Sequence, residues 1–230
     1  MNLNLLQEIT HSNSLEEIRK VILMTLNHYG LNDFGYAVQV PAINKRELPY
    51  IFTGYDQSWV EHYTSNQYYT VDPTIAYSAK NLVPVRWDDK LFSQCDRFRD
   101  ESRDAGLRHG ATYPIHGIYG EKGLFCIAGK NEISDEVFMQ INAMVSFLHA
   151  QILDVDLKSY TYFDMPTLTN REAEYLQWLA IGKSMEEIAT IMNISYRTAV
   201  DYIEKLKKKF QCQSKSQVLA LAIKKNIVTL

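Results

Sequence analysis

Six aromatic residues, Tyr55, Trp59, Tyr63, Tyr68, Tyr69 and Trp87, cluster in the sequence around a single acid, Asp72. Trp can only donate a hydrogen bond, Tyr can donate or accept, and an ionised Asp can only accept. An apolar enclosure with a few fixed polar partners suits a small, mostly apolar ligand with one polar head. An amide has both an N–H and a C=O, so this set could fix one. The same residues would also make an aromatic core in which Asp72 caps a helix ahead of Pro73. On residue types alone, the core is the stronger reading.

A second candidate lies near the C-terminus. The spacing predicts a short helix over 185–192, a turn at Asn193, Ile194 and Ser195, and a longer helix over 196–210, the outline of a helix-turn-helix. Ala199, Ile203, Leu206 and Phe210 recur as a core stripe. Arg197, Asp201, Glu204, Lys205 and Lys208 lie opposite, and the run Lys207–Lys209 would end near a phosphate backbone. A four-helix interaction module with a solvated charged face would show the same pattern.

Other chemistries lack their residues. Gly117, Gly120 and Gly123 fit a hairpin turn, since no Lys-Ser or Lys-Thr follows to make a phosphate loop. His62, His109 and His116 lack metal-ligand spacing with carboxylates. Neither Cys95 nor Cys126 has an identifiable His partner, and no Gly-x-Ser-x-Gly elbow is present. No metal and no cofactor are expected.

The elements that must hold these candidates can be read locally. Ser14 and Glu17 have capping-box spacing ahead of Leu15, Ile18, Ile22 and Leu26 on one helical face. Tyr36, Val38 and Val40 alternate as one face of a strand, and 50–53 suits a second. Helices are expected over 57–66, 73–80, 92–104 and 134–153, with strands over 111–116 and 123–128. Three more capping boxes follow: Thr169/Glu172, Ser184/Glu187 and Ser214/Gln217. With stops at Gly182 and Asn193 they predict helices over 170–181, 185–192, 196–210 and 215–225. The fold class is therefore α+β: an N-terminal α/β/α sandwich around an antiparallel sheet, then a four-helix helix-turn-helix domain. The expected divisions are 1–158, a linker at 159–167, and 168–230.

Composition agrees with a folded, non-membrane protein. The chain has 230 residues, 46% of them apolar, and no apolar run long enough to span a bilayer. The N-terminus does not read as a secretory leader. Three scattered cysteines fit a reducing cytoplasm. The net charge of −3 divides unevenly. From Pro166 onward there are 10 basic and 6 acidic residues, whereas the preceding part has 14 against 21. A basic tail domain is compatible with nucleic acid or with a merely solvated surface.

Two sets of residues resemble one family. Leu168, Thr169, Glu172, Leu176, Gly182, Lys183, Ser184, Glu187, Ile188, Ala189, Ile194, Ser195 and Thr198 resemble the DNA-binding domain of LuxR-type regulators, and Lys209–Phe210 resembles its closing Lys-Leu. Trp59, Tyr63, Asp72, Pro73, Trp87 and Gly110, at successive gaps of 4, 9 and 15 from Trp59 to Trp87, resemble that family's autoinducer-binding domain. The resemblance implies a quorum-sensing transcriptional regulator that binds an N-acyl-homoserine lactone and, as a homodimer, double-stranded promoter DNA. It implies that Trp59 donates to the lactone carbonyl, that Asp72 accepts the amide N–H, and that Tyr55 donates to the amide carbonyl. Thr74 would support this network, and Cys126 stands where Ser is common. Tyr63, Trp87, Phe98 and Leu107 would wall the pocket, with Tyr36, Val38 and Val40 lining it from the sheet. Arg197, Thr198, Asp201, Glu204, Lys205 and Lys208 would face DNA. Pro73, Gly110, Glu172, Leu176 and Gly182 would be structural.

There are departures from the family pattern. Thr198–Ala199 replaces Thr-Val, Tyr202 replaces a His, and Asp201 and Glu204 put acid on the groove face. Val60 offers no polar contact to a substituted acyl chain. The 134–153 helix could present Val137, Ile141, Met144, Val145 and Leu148 to a second copy, or pack them in its own core. Three alternatives stand beside this reading: a regulator of the same type sensing another small ligand, a lactone-processing enzyme, and a phosphorylation-controlled regulator. The enzyme needs a nucleophile or metal set, and the last needs an acidic acceptor cluster in a parallel α/β domain.

Overall fold

A computed structural model describes residues 3–39, 49–117, 120–156, 166–224 and 227–228. They form two compact units, one holding helices α1–α6 and all five strands, the other helices α7–α10. Val40 and residues 157–165 of the expected connector lie outside the described residues.

The first unit is built on an antiparallel sheet of order β2-β1-β5-β4-β3: β1 Leu31–Gln39, β2 Pro49–Thr53, β3 Val85–Arg86, β4 His109–His116 and β5 Lys122–Gly129. Residues opposite each other in an antiparallel pair point to the same face. Tyr36 opposes Phe125, which opposes Tyr113, while Gly35 opposes Cys126, which opposes Thr112. One face is therefore bulky and the other is small.

The bulky face is covered by α1 (Leu3–His11), α2 (Leu15–His28) and α6 (Asp135–Val155). Ser14 Oγ accepts the Glu17 N–H and starts α2, whose Ile18, Ile22 and Leu26 are fully buried. The Glu17 carboxylate reaches the Asn13 N–H at 2.6 Å, so the capping pair is closed one residue upstream of the expected site. Val137, Ile141, Met144, Val145 and Leu148 of α6 are all buried against this sheet face. Of the two readings for that stripe, core packing holds; the exposed apolar residues of α6 are Met139 and Phe147.

The opposite face is covered by α3 (Gln57–Ser65), a single 3-10 turn (Tyr68–Thr70), α4 (Pro73–Ser78) and α5 (Asp96–Asp104). Three features were not expected. Helix α1 has no acid in its first turn to mark its start. Strand β3 spans two residues, too short for periodicity. Helix α5 begins at Asp96 rather than at 92, because Phe92 to Gln94 form a turn and Cys95 is the N-cap.

The second unit comprises α7 (Asn170–Ala180), α8 (Met185–Ile191), α9 (Tyr196–Lys209) and α10 (Lys215–Lys224). Both partners of the Thr169/Glu172 and Ser184/Glu187 boxes are in place, as are the two Ser214/Gln217 bonds. Gly182, Asn193 and Gln211 have φ of +93°, +53° and +53° and end α7, α8 and α9 in left-handed turns. In each turn an N–H reaches back to the preceding helix, as Lys183 does to Trp178 O and Ile194 to Ala189 O. The core includes Tyr175, Leu176, Ile188, Ala199, Ile203, Leu206 and Phe210. Among the described residues no helix is long and apolar enough to cross a membrane.

Glu172 is buried, and one carboxylate oxygen accepts from the Thr169 N–H at 2.7 Å, Thr169 Oγ1 at 3.0 Å and Lys209 Nζ at 2.7 Å. Burial pushes this acid up, but the bonds from Lys209 and Thr169 outweigh it and hold it below the ordinary Glu range. Lys209 also donates to Thr167 O at 2.8 Å. It is therefore a clamp on the start of α7 and does not stand among the free cations of its run.

Lys209→Ala is expected to lower the stability of the second unit by about 1–3 kcal/mol, because a buried acceptor loses its charged partner. Glu172 has a lowered pKa in the folded state. The deficit in urea unfolding should therefore be full above the ordinary Glu range and fade as pH falls through the lowered value. An unchanged unfolding midpoint near neutral pH would refute the clamp.

Candidate functional site

The small face of the sheet makes room for the aromatic set. Gly35 leaves space where a Cβ would stand 2.9 Å from the Tyr55 ring and 3.0 Å from Cys126 Sγ. At Gly110 a Cβ would fall inside the Trp87 indole. Trp87 lies over that glycine and donates from Nε1 to Thr112 Oγ1 at 2.8 Å. Trp59 and Tyr63 are one turn apart on α3, which Asp56 caps through the Ser58 N–H. Their rings meet Phe98 of α5 at 6.4 and 5.8 Å, and Tyr68 packs on Phe98 at 5.0 Å. With Phe92 and Trp87 these rings form one cluster. Leu107 is buried and shares a small hollow with Trp87, Phe92 and Arg99.

Asp72 sits at the edge of this cluster as the N-cap of α4, with Pro73 in the first turn. One carboxylate oxygen accepts the Thr74 N–H at 2.8 Å and Thr74 Oγ1–H at 2.6 Å; the other accepts Tyr63 Oη–H at 2.9 Å. Enclosure pushes the acid up, the Thr74 and Tyr63 bonds pull it down, and the balance lies above the ordinary Asp range. Among the described residues Asp72 has no ion pair, and the leading contributions to that balance are burial and neutral donors. Thr74 is buried, so its hydroxyl is committed to Asp72.

The Tyr55 hydroxyl lies 3.2 Å from Cys126 Sγ, and the thiol also lies 3.5 Å from Gly35 O. Burial pushes the Cys126 thiol up to about 12, with Asp72 adding to the rise, so it stays neutral. Burial likewise raises Tyr55 well above its ordinary value, with Cys126, then Asp33 and then Asp72 contributing. Tyr55, Cys126, Tyr63 and Asp72 thus feel one another. The indole N–H of Trp59 has no hydrogen-bond partner among the described residues. Two neutral hydroxyls, one enclosed acid and one unengaged N–H therefore face an apolar wall, an arrangement suited to holding one amide-sized polar head.

Two of the expected pocket residues lie elsewhere. Tyr36 and Val38 are on the bulky face, and Tyr36 Oη bonds His149 Nδ1 of α6 at 2.7 Å. They cannot line the same cavity as Cys126, because strand neighbours alternate faces. The floor is instead Gly35, Ala37, Gly110, Thr112, Cys126 and Ala128. Gly35 and Thr112 escaped notice because register, which places them opposite Cys126, has no local sequence signal.

In the second unit α8, the turn at Asn193 and α9 form the expected helix-turn-helix. Arg197, Asp201, Glu204, Lys205 and Lys208 are exposed on α9. Thr198 is half-buried, its hydroxyl 2.8 Å from the capping Ser195 Oγ. Glu204 pairs with Lys207 at 2.7 Å, and Lys205 lies 5.8 Å from the Tyr202 ring centre. Arg197 and Lys208 have no ion-pair partner among the described residues. Tyr202 stacks on Tyr175 at 5.6 Å, which gives it a packing role.

Residues 14–152 match the autoinducer binding domain, and residues 166–222 match the bacterial regulatory proteins of the luxR family. The transcriptional activator protein VanR of Vibrio anguillarum is 30% identical over 228 residues, 96% of this chain and 95% of VanR. The HTH-type quorum-sensing regulator RhlR of Pseudomonas aeruginosa is 30% identical over 208 residues, 88% of this chain and 86% of its own. The fold matches SdiA of Escherichia coli with a TM-score of 0.83 at 23% identity, over 99% of this chain and 97% of that one. It matches SdiA in complex with octanoyl-rac-glycerol with a TM-score of 0.82 at 21% identity, over 99% and 95%.

Gly110→Ala is expected to displace the Trp87 indole and break its bond to Thr112. Overpacking of this kind costs about 1–3 kcal/mol. Urea unfolding followed by tryptophan fluorescence should show a lower midpoint and a changed native spectrum. A native spectrum and midpoint identical to wild type would mean that the indole does not lie over this glycine.

Proposed function

The chain belongs to the luxR family of bacterial regulatory proteins, carrying an autoinducer-binding domain ahead of the family's DNA-binding domain, and from that premise we propose that it binds an N-acyl-homoserine lactone and controls promoter DNA as a homodimer in the cytoplasm. The family is one of transcriptional regulators, not enzymes. The sensor would be residues 1–158 and the DNA-binding domain 168–230, joined by 159–167.

The observation that carries the lactone reading is Asp72, a half-buried acid at the edge of the aromatic cluster whose donors, the Thr74 N–H and hydroxyl and the Tyr63 hydroxyl, are all neutral. In this reading it accepts the amide N–H, and the free Trp59 indole N–H donates to the lactone carbonyl. Tyr55 turns from Cys126, a weak acceptor, to the amide carbonyl. Tyr63, Trp87, Phe98 and Leu107 enclose the head and the start of the acyl chain. A ligand bound only by the folded sensor stabilises it by about 2.7 kcal/mol at a hundredfold excess over Kd. Stabilising the sensor then favours the dimer that presents two α9 helices to half-sites about one helical turn apart. On α9, Arg197, Lys205 and Lys208 have no ion-pair partner among the described residues, and Asp201 and Glu204 restrict which bases are acceptable by accepting from cytosine or repelling phosphate.

A melting-temperature panel tests the sensor. Homoserine lactones of graded acyl length and octanoyl-rac-glycerol would be added to wild type and to Asp72→Asn. Asn retains the helix cap, so the ligand-free protein should melt much as wild type does. At least one lactone should raise the wild-type melting temperature, and Asp72→Asn should lose about 1–3 kcal/mol of that gain. A rise with octanoyl-rac-glycerol alone would replace the lactone by another ligand class, and no rise with any compound would remove the sensing claim. For the reader, Lys208→Ala should weaken promoter binding and reduce the slope of log K against log salt by about 0.9. An unchanged slope would show that Lys208 does not touch phosphate.

A further inference from the structure

Helix α3 carries Trp59 and Tyr63, yet none of its residues is fully buried. Something other than core packing must fix its place. Outside the aromatic cluster runs a polar strap centred on Glu101 of α5, one turn beyond Phe98. Its carboxylate takes His62 Nε2 of α3 at 2.6 Å, Arg97 Nε of its own helix at 2.8 Å and the hydroxyl of Tyr68 in the 3-10 turn. Arg97 extends the strap to Asn66 Oδ1 at 3.2 Å, and Asn66 caps α3 by donating to His62 O at 2.9 Å. The rings below follow the same line: His62 lies 5.8 Å from Trp59 and 5.9 Å from Tyr68.

We infer that Glu101 is a positioning residue of the pocket, latching α3 and the 3-10 turn to α5 and so setting where Trp59 and Tyr63 stand relative to Phe98. This rests on reading the aromatic cluster as the ligand pocket. The latch lies outside the rings of the cluster, and it holds the wall that a ligand would have to pass or press against. Its three donors hold the Glu101 carboxyl down at about 2, the Tyr68 hydroxyl contributing most, so it remains a charged acceptor over the working pH range. Phe98, three residues earlier on the same helix, makes one rigid piece of the latch and the wall.

Amide hydrogen exchange on Glu101→Gln and Tyr68→Phe tests it, with N-octanoyl-homoserine lactone as the probe. Gln is near in shape but gives up the charge-assisted bonds to Arg97 and His62. Amides of 57–65 should exchange about tenfold faster in Glu101→Gln and less so in Tyr68→Phe, while those of β5 keep wild-type protection. The probe should leave Glu101→Gln about tenfold faster than wild type. Unchanged exchange in α3, or equal acceleration in β5, overturns the latch whatever the probe does. Acceleration confined to α3 with no lactone bound by wild type upholds the latch and removes the lactone reading alone. Faster exchange with an unchanged probe off-rate overturns the positioning role.

Discussion

A carboxylate drawn partly out of water at the edge of an aromatic cluster is costly unless its lone pairs are filled, and the first unit is arranged around meeting that condition for Asp72. Its position as N-cap of α4 supplies the Thr74 N–H, and the hydroxyl of the same threonine supplies a second donor. The third comes from Tyr63, which obliges α3 to lie within reach of the start of α4. Once α3 is there, Trp59 and Tyr63 must meet Phe98, and the sheet beneath must be small. Gly35, Ala37, Gly110 and Ala128 are the residues that make it so. The aromatic wall, the glycines and the cap thus follow from one enclosed acid.

The parts of this arrangement that could be read in the sequence are those encoded within four residues. The boxes at Thr169, Ser184 and Ser214, the stop at Gly182 and the cap at Asp72 depend on local hydrogen bonds, and all stand where spacing places them. The parts that could not be read depend on register or on distant pairing. Tyr36 and Val38 alternate correctly as one strand face, but alternation does not say which face meets α6 and which meets the pocket. Lys209 belongs to a basic run, and nothing local distinguishes it from Lys208. Only the fold brings it 2.7 Å from Glu172, 37 residues earlier. Likewise the α6 stripe has one helical period whether it meets a second copy or its own sheet.

The two units use one device with opposite outcomes. Glu172 and Asp72 each lie at the start of a helix, bond to a Thr close in sequence, and accept a donor from another helix. For Glu172 that donor is the charged Lys209, and the acid is held below its ordinary range. For Asp72 it is the neutral Tyr63, and the acid lies above its ordinary range. A carboxylate facing a cation in a partly buried site is already neutralised as a pair, so a further neutral donor adds little. A carboxylate facing only hydroxyls and an amide N–H keeps its full charge uncompensated in a low-dielectric enclosure, where each added hydrogen bond is worth more than it would be in water.

In the proposed reading that difference separates the two roles. Glu172 is satisfied and rigid, which is what the first helix of a docking domain needs if α9 is to be presented at a fixed angle. Asp72 has its hydrogen-bond donors but no ion pair among the described residues, and in the proposed reading an incoming ligand N–H relieves a cost the folded protein already bears. The gain on binding is then larger than the same contact would give at a paired acid, and much of it appears as stability of the unit that holds Asp72. On that proposal, the absence of an ion pair at Asp72 among the described residues is as much a part of the site as the aromatic cluster beside it.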